Sequence, residues 1–302
     1  MAIRVANIPQ SSGNKSQPQT GLHKMKFKDW AISILKYLIL IALSITFFLP
    51  LFWMFTSAIK TDPQVFSIPP IWIPIPARWI NFVEAWNVDH FNLYLYNTIV
   101  RYTIPATFGT VLSSTVVAYG FSRVRWPLRH VFFALCMATM MIPSQVTMVP
   151  LFILFRKFGW LNSYLPMVVP SFFGNAYYIF MLRQFFRTIP KDLTDAARID
   201  GASEVQVLWL ILLPLIRPAL AVVALFTFMG TWNDYMGPLI YINKASMVPL
   251  SVGLASLSSS LSGKGISHLV YPYLMAVSTI ITLPIVLIFF FAQRTFVEGP
   301  EY

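Results

Sequence analysis

A single cysteine, Cys136, stands among 302 residues, inside an apolar run, which excludes an intrachain disulfide and a thiolate metal cluster. It is read as packing. Charge is scarce too: 11% of residues are charged, against roughly 25% in a soluble domain, while 57% are hydrophobic. A soluble fold of this length could not hide so much apolar surface, so the solvent is read as lipid. Acidic residues are half as numerous as basic ones, 11 against 22. Nucleic-acid binding is not expected from this excess, because the Lys and Arg are dispersed between apolar runs and form no stripe on a polar domain. Also missing is a Gly-rich phosphate loop with Lys and Ser or Thr, so the chain is not expected to bind ATP itself. The histidines His23, His90, His130 and His268 have no ligand-like spacing, and no metal site is expected. Neither a Ser-His-Asp set nor paired carboxylates are suggested, so an intramembrane hydrolase is not expected, and the chain is read as non-catalytic. The first 29 residues are polar, with Arg4, Lys15, Lys24, Lys26 and Lys28, and carry no pattern of a cleaved signal peptide.

What the sequence does have is long apolar runs. About 20 apolar residues span a bilayer as a helix, because hydrocarbon forces backbone hydrogen bonding inside the segment. Six runs qualify: 31–59, 98–120, 131–155, 165–182, 218–242 and 269–293. The fold class predicted is all-α, a polytopic membrane protein with six transmembrane helices. Its domains are an N-terminal tail, 1–29, and a membrane domain, 30–299. With the N-terminus inside, the inner segments hold 14 Lys and Arg and the outer ones six: Lys60, Arg78, Arg156, Lys157, Lys244 and Lys264. Both termini are therefore placed in the cytoplasm. Two long connections, 60–97 and 243–268, fall outside, and one, around 188–214, falls inside. Pro143, Pro150, Pro166, Pro170, Pro238, Pro272 and Pro284 interrupt the runs, as in a moving, cavity-lining bundle or in ordinary kinked membrane helices. No internal repeat is apparent, which weakens a secondary-transporter reading.

The inner connection carries the most local information. Pro190 suits a helix start, and Asp192 and Asp195 fall in the first turns, where the helix dipole favours them. Gly201 supplies a left-handed end, and Ser203 can cap a second helix starting at Glu204. Two short helices joined at a sharp turn result. Ala196 and Ala197 are small enough for close approach to another surface, with Asp195 and Arg198 flanking them. The element reads either as a docking helix pair or as a solvated amphipathic loop.

Asp195-Ala196-Ala197, Gly201 six residues after Asp195, then Ile211, Leu213 and Pro214 resemble the signature loop of permease subunits of ABC importers. That pattern is Glu-Ala-Ala, three free residues, Gly, nine free residues, Ile, one free, Leu-Pro. The one departure is Asp for Glu. Further likeness to the carbohydrate, maltose-type branch lies in Ala118-Tyr119-Gly120-Phe121-Ser122-Arg123, Met141-Ile142-Pro143, Trp232-Asn233-Asp234-Tyr235 and Gln293-Arg294-Thr295-Phe296-Val297-Glu298-Gly299. The resemblance implies a type I ABC importer permease fold in the inner membrane. It implies as partners a second permease subunit, two cytoplasmic ATPase subunits that carry the ATP and Mg, and an external solute-binding protein. It also implies that Asp195, Ala196, Ala197, Arg198, Gly201, Leu213 and Pro214 couple the permease to ATP hydrolysis, and that 243–268 matches an external loop that reaches the binding protein in maltose-type relatives. Leu261-Ser262-Gly263-Lys264-Gly265 is superficially like the ATPase signature but is explained by a Ser- and Gly-rich loop.

Trp232, Asn233, Asp234 and Tyr235 form the most polar cluster within a run. An acidic group at depth is expensive unless paired or wet, so the cluster is either a substrate path, with rings stacking on sugar and polar groups meeting hydroxyls, or an interhelical network. The function expected is import of a sugar by alternating access. A glycerol phosphate permease, an ion-coupled transporter and a membrane assembly subunit remain the alternatives.

Overall fold

The computed structural model describes residues 27–265 and 269–297. All regular elements among them are helical. The chain forms two compact units, 1–51 and 52–302. Described residues of the first unit belong to α1 (Phe27–Ala58), which is close to the first apolar run. Its large apolar side chains up to Leu51 are mostly exposed, as on a helix whose solvent is lipid. The hydroxyls of Ser44 and Thr46 donate to the carbonyls of Leu40 and Ala42 at 2.8 and 2.9 Å, partners that hydrocarbon cannot supply.

In the second unit the connection 60–97 contains α2 (Asp62–Val65), α3 (Ile80–Asn87) and α4 (Phe91–Tyr96). Buried Asn81 donates to the carbonyls of Ala58 and Lys60 at 2.8 and 2.9 Å, which satisfies the free end of α1. A π-helical stretch, Asn97–Thr103, carries α4 into α5 (Ile104–Ser122). The crossing is therefore Phe91–Ser122 and starts earlier than the run at Thr98. The run 131–155 is two helices, α6 (Arg129–Thr139) and α7 (Ser144–Lys157), bent by 97°. Pro143, extended at ψ 135, lacks the N–H needed to continue the first helix into the second.

The next crossing, Leu165–Thr188, comprises α8 (Leu165–Val168), a 3-10 turn and α9 (Ala176–Thr188). The Asn175 side chain accepts from the N–H groups of Tyr177 and Tyr178 and starts α9. After it come α10 (Lys191–Ile199), α11 (Glu204–Gln206), a π-helical stretch Val207–Leu212, α12 (Leu213–Leu215) and α13 (Arg217–Trp232). Glu204–Leu215 is bent by 82° from α13, so it lies across the direction of the span as an interfacial helix does. The run 218–242 is also divided: α13 rises about 24 Å, less than the hydrocarbon thickness, and breaks at 233–235 before α14 (Met236–Tyr241). The connection 243–268 is likewise no open loop in its described part. It holds α15 (Leu250–Gly263), with Leu250, Leu257 and Leu261 buried, and the string Leu261–Gly265 is the end of this helix. Finally α16 (Val270–Val297) covers the last run.

Among the described residues, four helices are long and apolar enough to cross a membrane, and each bent pair, taken as one span, raises the number to six. Central α5 buries Ala106, Gly109, Thr110, Ser114 and Ala118, small side chains at helical spacing that let α9 and α13 approach closely. Two apolar clusters fill the ends of the unit. One holds Phe91, Tyr94, Trp232, Leu257 and Tyr273, the other Tyr119, Leu182, Phe186, Leu212 and Val223. Through Val223 and Trp232, α13 belongs to both.

Candidate functional site

The loop between α9 and α13 folds as two helices on a hinge. α10 follows Pro190 with Asp192 in its first turn. At its end the chain turns through Gly201, whose φ of 85° is ordinary for glycine and strained for other residues. The N–H of Ala202 closes the turn onto the Ala197 carbonyl at 2.9 Å. Ser203 opens α11 with a reciprocal cap: its N–H donates to the Gln206 side chain at 2.8 Å, and its hydroxyl oxygen accepts from the Gln206 N–H at 3.4 Å.

Arg198 locks this hinge. Its Nη1 lies 2.9 Å from Asp195, and its Nε and Nη2 meet both Glu204 oxygens at 2.8 and 3.1 Å, a two-pronged pair across the turn. The Tyr119 hydroxyl, on α5, donates to the same carboxylate. Hydrogen bonding from Arg198 holds Glu204 below the usual carboxylate range, against the opposing effect of partial burial. Asp195 thus has a partner within the chain, and the lock reaches a membrane-spanning helix.

The two faces of α10 differ. Thr194 is buried and Ala197 packs toward the core, while Leu193, Ala196 and Ile199, at spacing i, i+3, i+6, are exposed, Ile199 at 86%. Of the other residues read from the sequence, Leu213 is half-buried and Pro214 exposed. The anchors of the loop are Val207, Leu208 and Leu212, each buried in the same cluster as Tyr119 and Phe186 and worth roughly 1.5–3 kcal/mol of burial. Sequence reasoning missed these three and the Tyr119–Glu204 bond. The spacing i, i+1, i+5 could have flagged the anchors as one helical face; nothing local could have paired residues 119 and 204.

At the other end of α13 the structure splits the polar cluster. Trp232 is buried and stacks on Phe228 with ring centroids 5.4 Å apart. Asn233 is exposed and its amide donates to Met229 of its own helix at 2.8 Å. The Asp234 carboxylate accepts from the Tyr102 hydroxyl at 2.6 Å and from the Gly237 N–H at 3.0 Å, and its backbone carbonyl accepts from Ser251 at 2.6 Å. A Cβ at residue 237 would lie 2.5 Å from the carboxylate, so any side chain there would displace Asp234 from its present position. Tyr235 is exposed. Asp234 therefore joins π-helical residues, α14 and α15, while Asn233 and Tyr235 keep accessible polar and aromatic surface. His23, His268, Glu298 and Gly299 lie outside the described residues, as does the tail 1–26.

Residues 111–299 match the family described as binding-protein-dependent transport system inner membrane component. The sn-glycerol-3-phosphate transport system permease protein UgpE of Yersinia enterocolitica is 35% identical over 256 residues, covering 83% of this chain and 89% of that protein. The diacetylchitobiose uptake system permease protein NgcG of Streptomyces coelicolor is 27% identical over 267 residues, covering 88% of this chain and 86% of its own length. In fold, the chain is similar to a chain of a bacterial ABC transporter involved in the import of the acidic polysaccharide alginate, with a TM-score of 0.77, 23% identity, and coverage of 89% and 98%. The chain belongs to the family of binding-protein-dependent inner membrane components. It is a multi-pass permease subunit of an ABC importer, which works with ATPase, solute-binding and second permease partners.

Proposed function

We propose that this subunit imports a sugar, as a mono- or oligosaccharide, by alternating access, with both termini in the cytoplasm and the loop 188–214 as the seat of a cytoplasmic ATPase. The observation that carries the coupling role is the exposed apolar face of Leu193, Ala196 and Ile199 on α10. Exposed apolar residues in a polar loop are stable when a partner covers them. Two ATPase subunits, each closing on ATP and Mg, would pull this face, and the Arg198–Glu204–Tyr119 lock would pass the motion to α5. At the far end, Asn233 and Tyr235 offer a neutral amide and an aromatic ring, groups suited to hydroxyls and sugar faces.

A relative named for diacetylchitobiose uptake favours the sugar reading, and relatives named for sn-glycerol 3-phosphate favour that solute as the second reading. The test is uptake into proteoliposomes holding the full importer with its binding protein. A panel of labelled sugars should include one that is accumulated and that stimulates ATP hydrolysis. Uptake of sn-glycerol 3-phosphate alone would replace the sugar reading with the second. Ile199→Asp should abolish co-purification of the ATPase while leaving the permease pair intact, and retained ATPase binding would remove the docking role.

A further inference from the structure

Between the end of α5, the start of α6 and the end of α9 lies a cavity of about 440 Å³. Arg123, Arg129, Arg183, Arg187 and Lys191 line it together with His130, and no carboxylate is among its described lining residues. Cations gathered this closely repel one another unless an anion sits between them. Arg123 is the most informative of them. It is 8% exposed, and its Nη2 donates to the carbonyls of Phe186 and Ile189. Its Nε and Nη1 are buried without a hydrogen-bond partner. Unpaired donors on a buried charged group are costly. Arg123 lines both this cavity and an adjoining one that holds Asp195, and an anion in the first would give those donors a partner. Arg183 is held by the Phe121 carbonyl at 3.3 Å and by the Phe133 ring, 4.0 Å from its guanidinium, so it is positioned at the cavity and not free to swing away.

The depth of the cavity is set by the two crossings that border it. Phe91–Ser122 and Leu165–Thr188 both end here, so the cations stand where helices leave the hydrocarbon. Exposed Leu128 and Phe132 and half-buried Trp126 flank them, apolar and amphipathic groups typical of the headgroup boundary.

We propose that this cavity binds the phosphate of an anionic phospholipid, with Arg123 as the buried donor and Arg129, Arg183, Arg187 and Lys191 around it. Arginine forks match phosphate oxygens, and basic pockets at the ends of membrane helices suit acidic headgroups. A free phosphate has the same chemistry, but it would leave the adjoining exposed apolar side chains without a role, whereas an acyl chain covers them. The site touches the loop as well. Arg123 binds the carbonyls of Phe186 and Ile189, which lead directly into α10, so an occupied cavity stiffens the entry to the coupling helices.

The test is native mass spectrometry of the intact importer complex after incubation with phosphatidylglycerol or phosphatidylcholine. The wild type should retain phosphatidylglycerol in preference. Arg129→Gln with Arg187→Gln should weaken that retention by about 30-fold and leave phosphatidylcholine unchanged. If the double variant fails to assemble, Arg187→Gln alone, on an exposed side chain, should weaken retention by about fivefold. Equal retention of the two lipids by the wild type, or undiminished phosphatidylglycerol on the variants, overturns the site. Release of phosphatidylglycerol by inorganic phosphate assigns the cavity to a soluble anion and overturns the lipid. Retention only in complexes stripped of ATPase assigns it to that partner's surface.

Discussion

At the residue scale, Asp234 and Glu204 are both carboxylates tied to a tyrosine of the long crossing Phe91–Ser122, and they respond differently to change. Asp234 uses one oxygen for Tyr102 and the other for the Gly237 N–H. Asparagine keeps one acceptor and turns an amide donor toward a group that also donates. We expect Asp234→Asn to lower stability by about 1–3 kcal/mol, and Tyr102→Phe combined with it to cost less than the two changes summed. Thermal unfolding of the purified permease pair measures this, and strict additivity would show that the two side chains act independently. Glu204 is half exposed and sits in the interfacial loop, so its energetic share is small, but its response to pH has a definite sign. Because its folded pKa is lowered, its contribution is complete above the ordinary value of 4.5 and fades as pH falls through the lowered one. Amide protection across the two loop helices, taken relative to the intrinsic exchange rate at each pH, should therefore fall on acidification in the wild type. In Glu204→Gln it should already be lowered and should change less with pH.

At the scale of elements, the hinge was legible from the sequence because its determinants are local. Pro190, Gly201 and Ser203 each fix a backbone state within a few residues of themselves, and the helices form where those signals put them. Breaks in the membrane helices were less legible. Proline marks in 131–155 were compatible with a kink or with a sharp corner, and only packing decides on a 97° bend. Helix α15 was read as a loop because Ser and Gly are plentiful in it, yet Leu250, Leu257 and Leu261 hold one buried stripe against α16. A substitution at Gly201 isolates the hinge. Space around a Cβ there is open, so the cost of a side chain is purely conformational. Gly201→Val should strain the turn by about 1–3 kcal/mol and uncouple ATP hydrolysis from transport, while Gly201→Asn, which tolerates positive φ, should stay near the wild type. Substrate-stimulated ATPase activity of the reconstituted complex measures both. Equal loss in the two variants would point to volume or contact at this position in place of backbone conformation.

For the whole molecule, the side of the membrane on which the Gly201 hinge lies decides whether the lock, the exposed helix face and the basic cavity can act on a cytoplasmic partner. The proposed orientation has them inside, and charge counting favours it, since 14 of the 20 Lys and Arg residues between or flanking the runs then fall on that side. Arg156 and Lys157 run against the count. They end α7, beyond the bend, so their placement depends on a corner that hydropathy does not describe. Labelling settles the orientation more directly than counting. Cys136 is half-buried in an apolar cluster and is first replaced by alanine. A cysteine is then introduced at Ser262, exposed on the last turn of α15, or at Asp200, exposed at the hinge. With intact cells, an impermeant maleimide should modify the variant at 262 and spare the one at 200, and permeabilised cells should give both. The reverse pattern would place the hinge outside, separate it from any cytoplasmic ATPase, and make Leu193, Ala196 and Ile199 a surface for an extracytoplasmic partner.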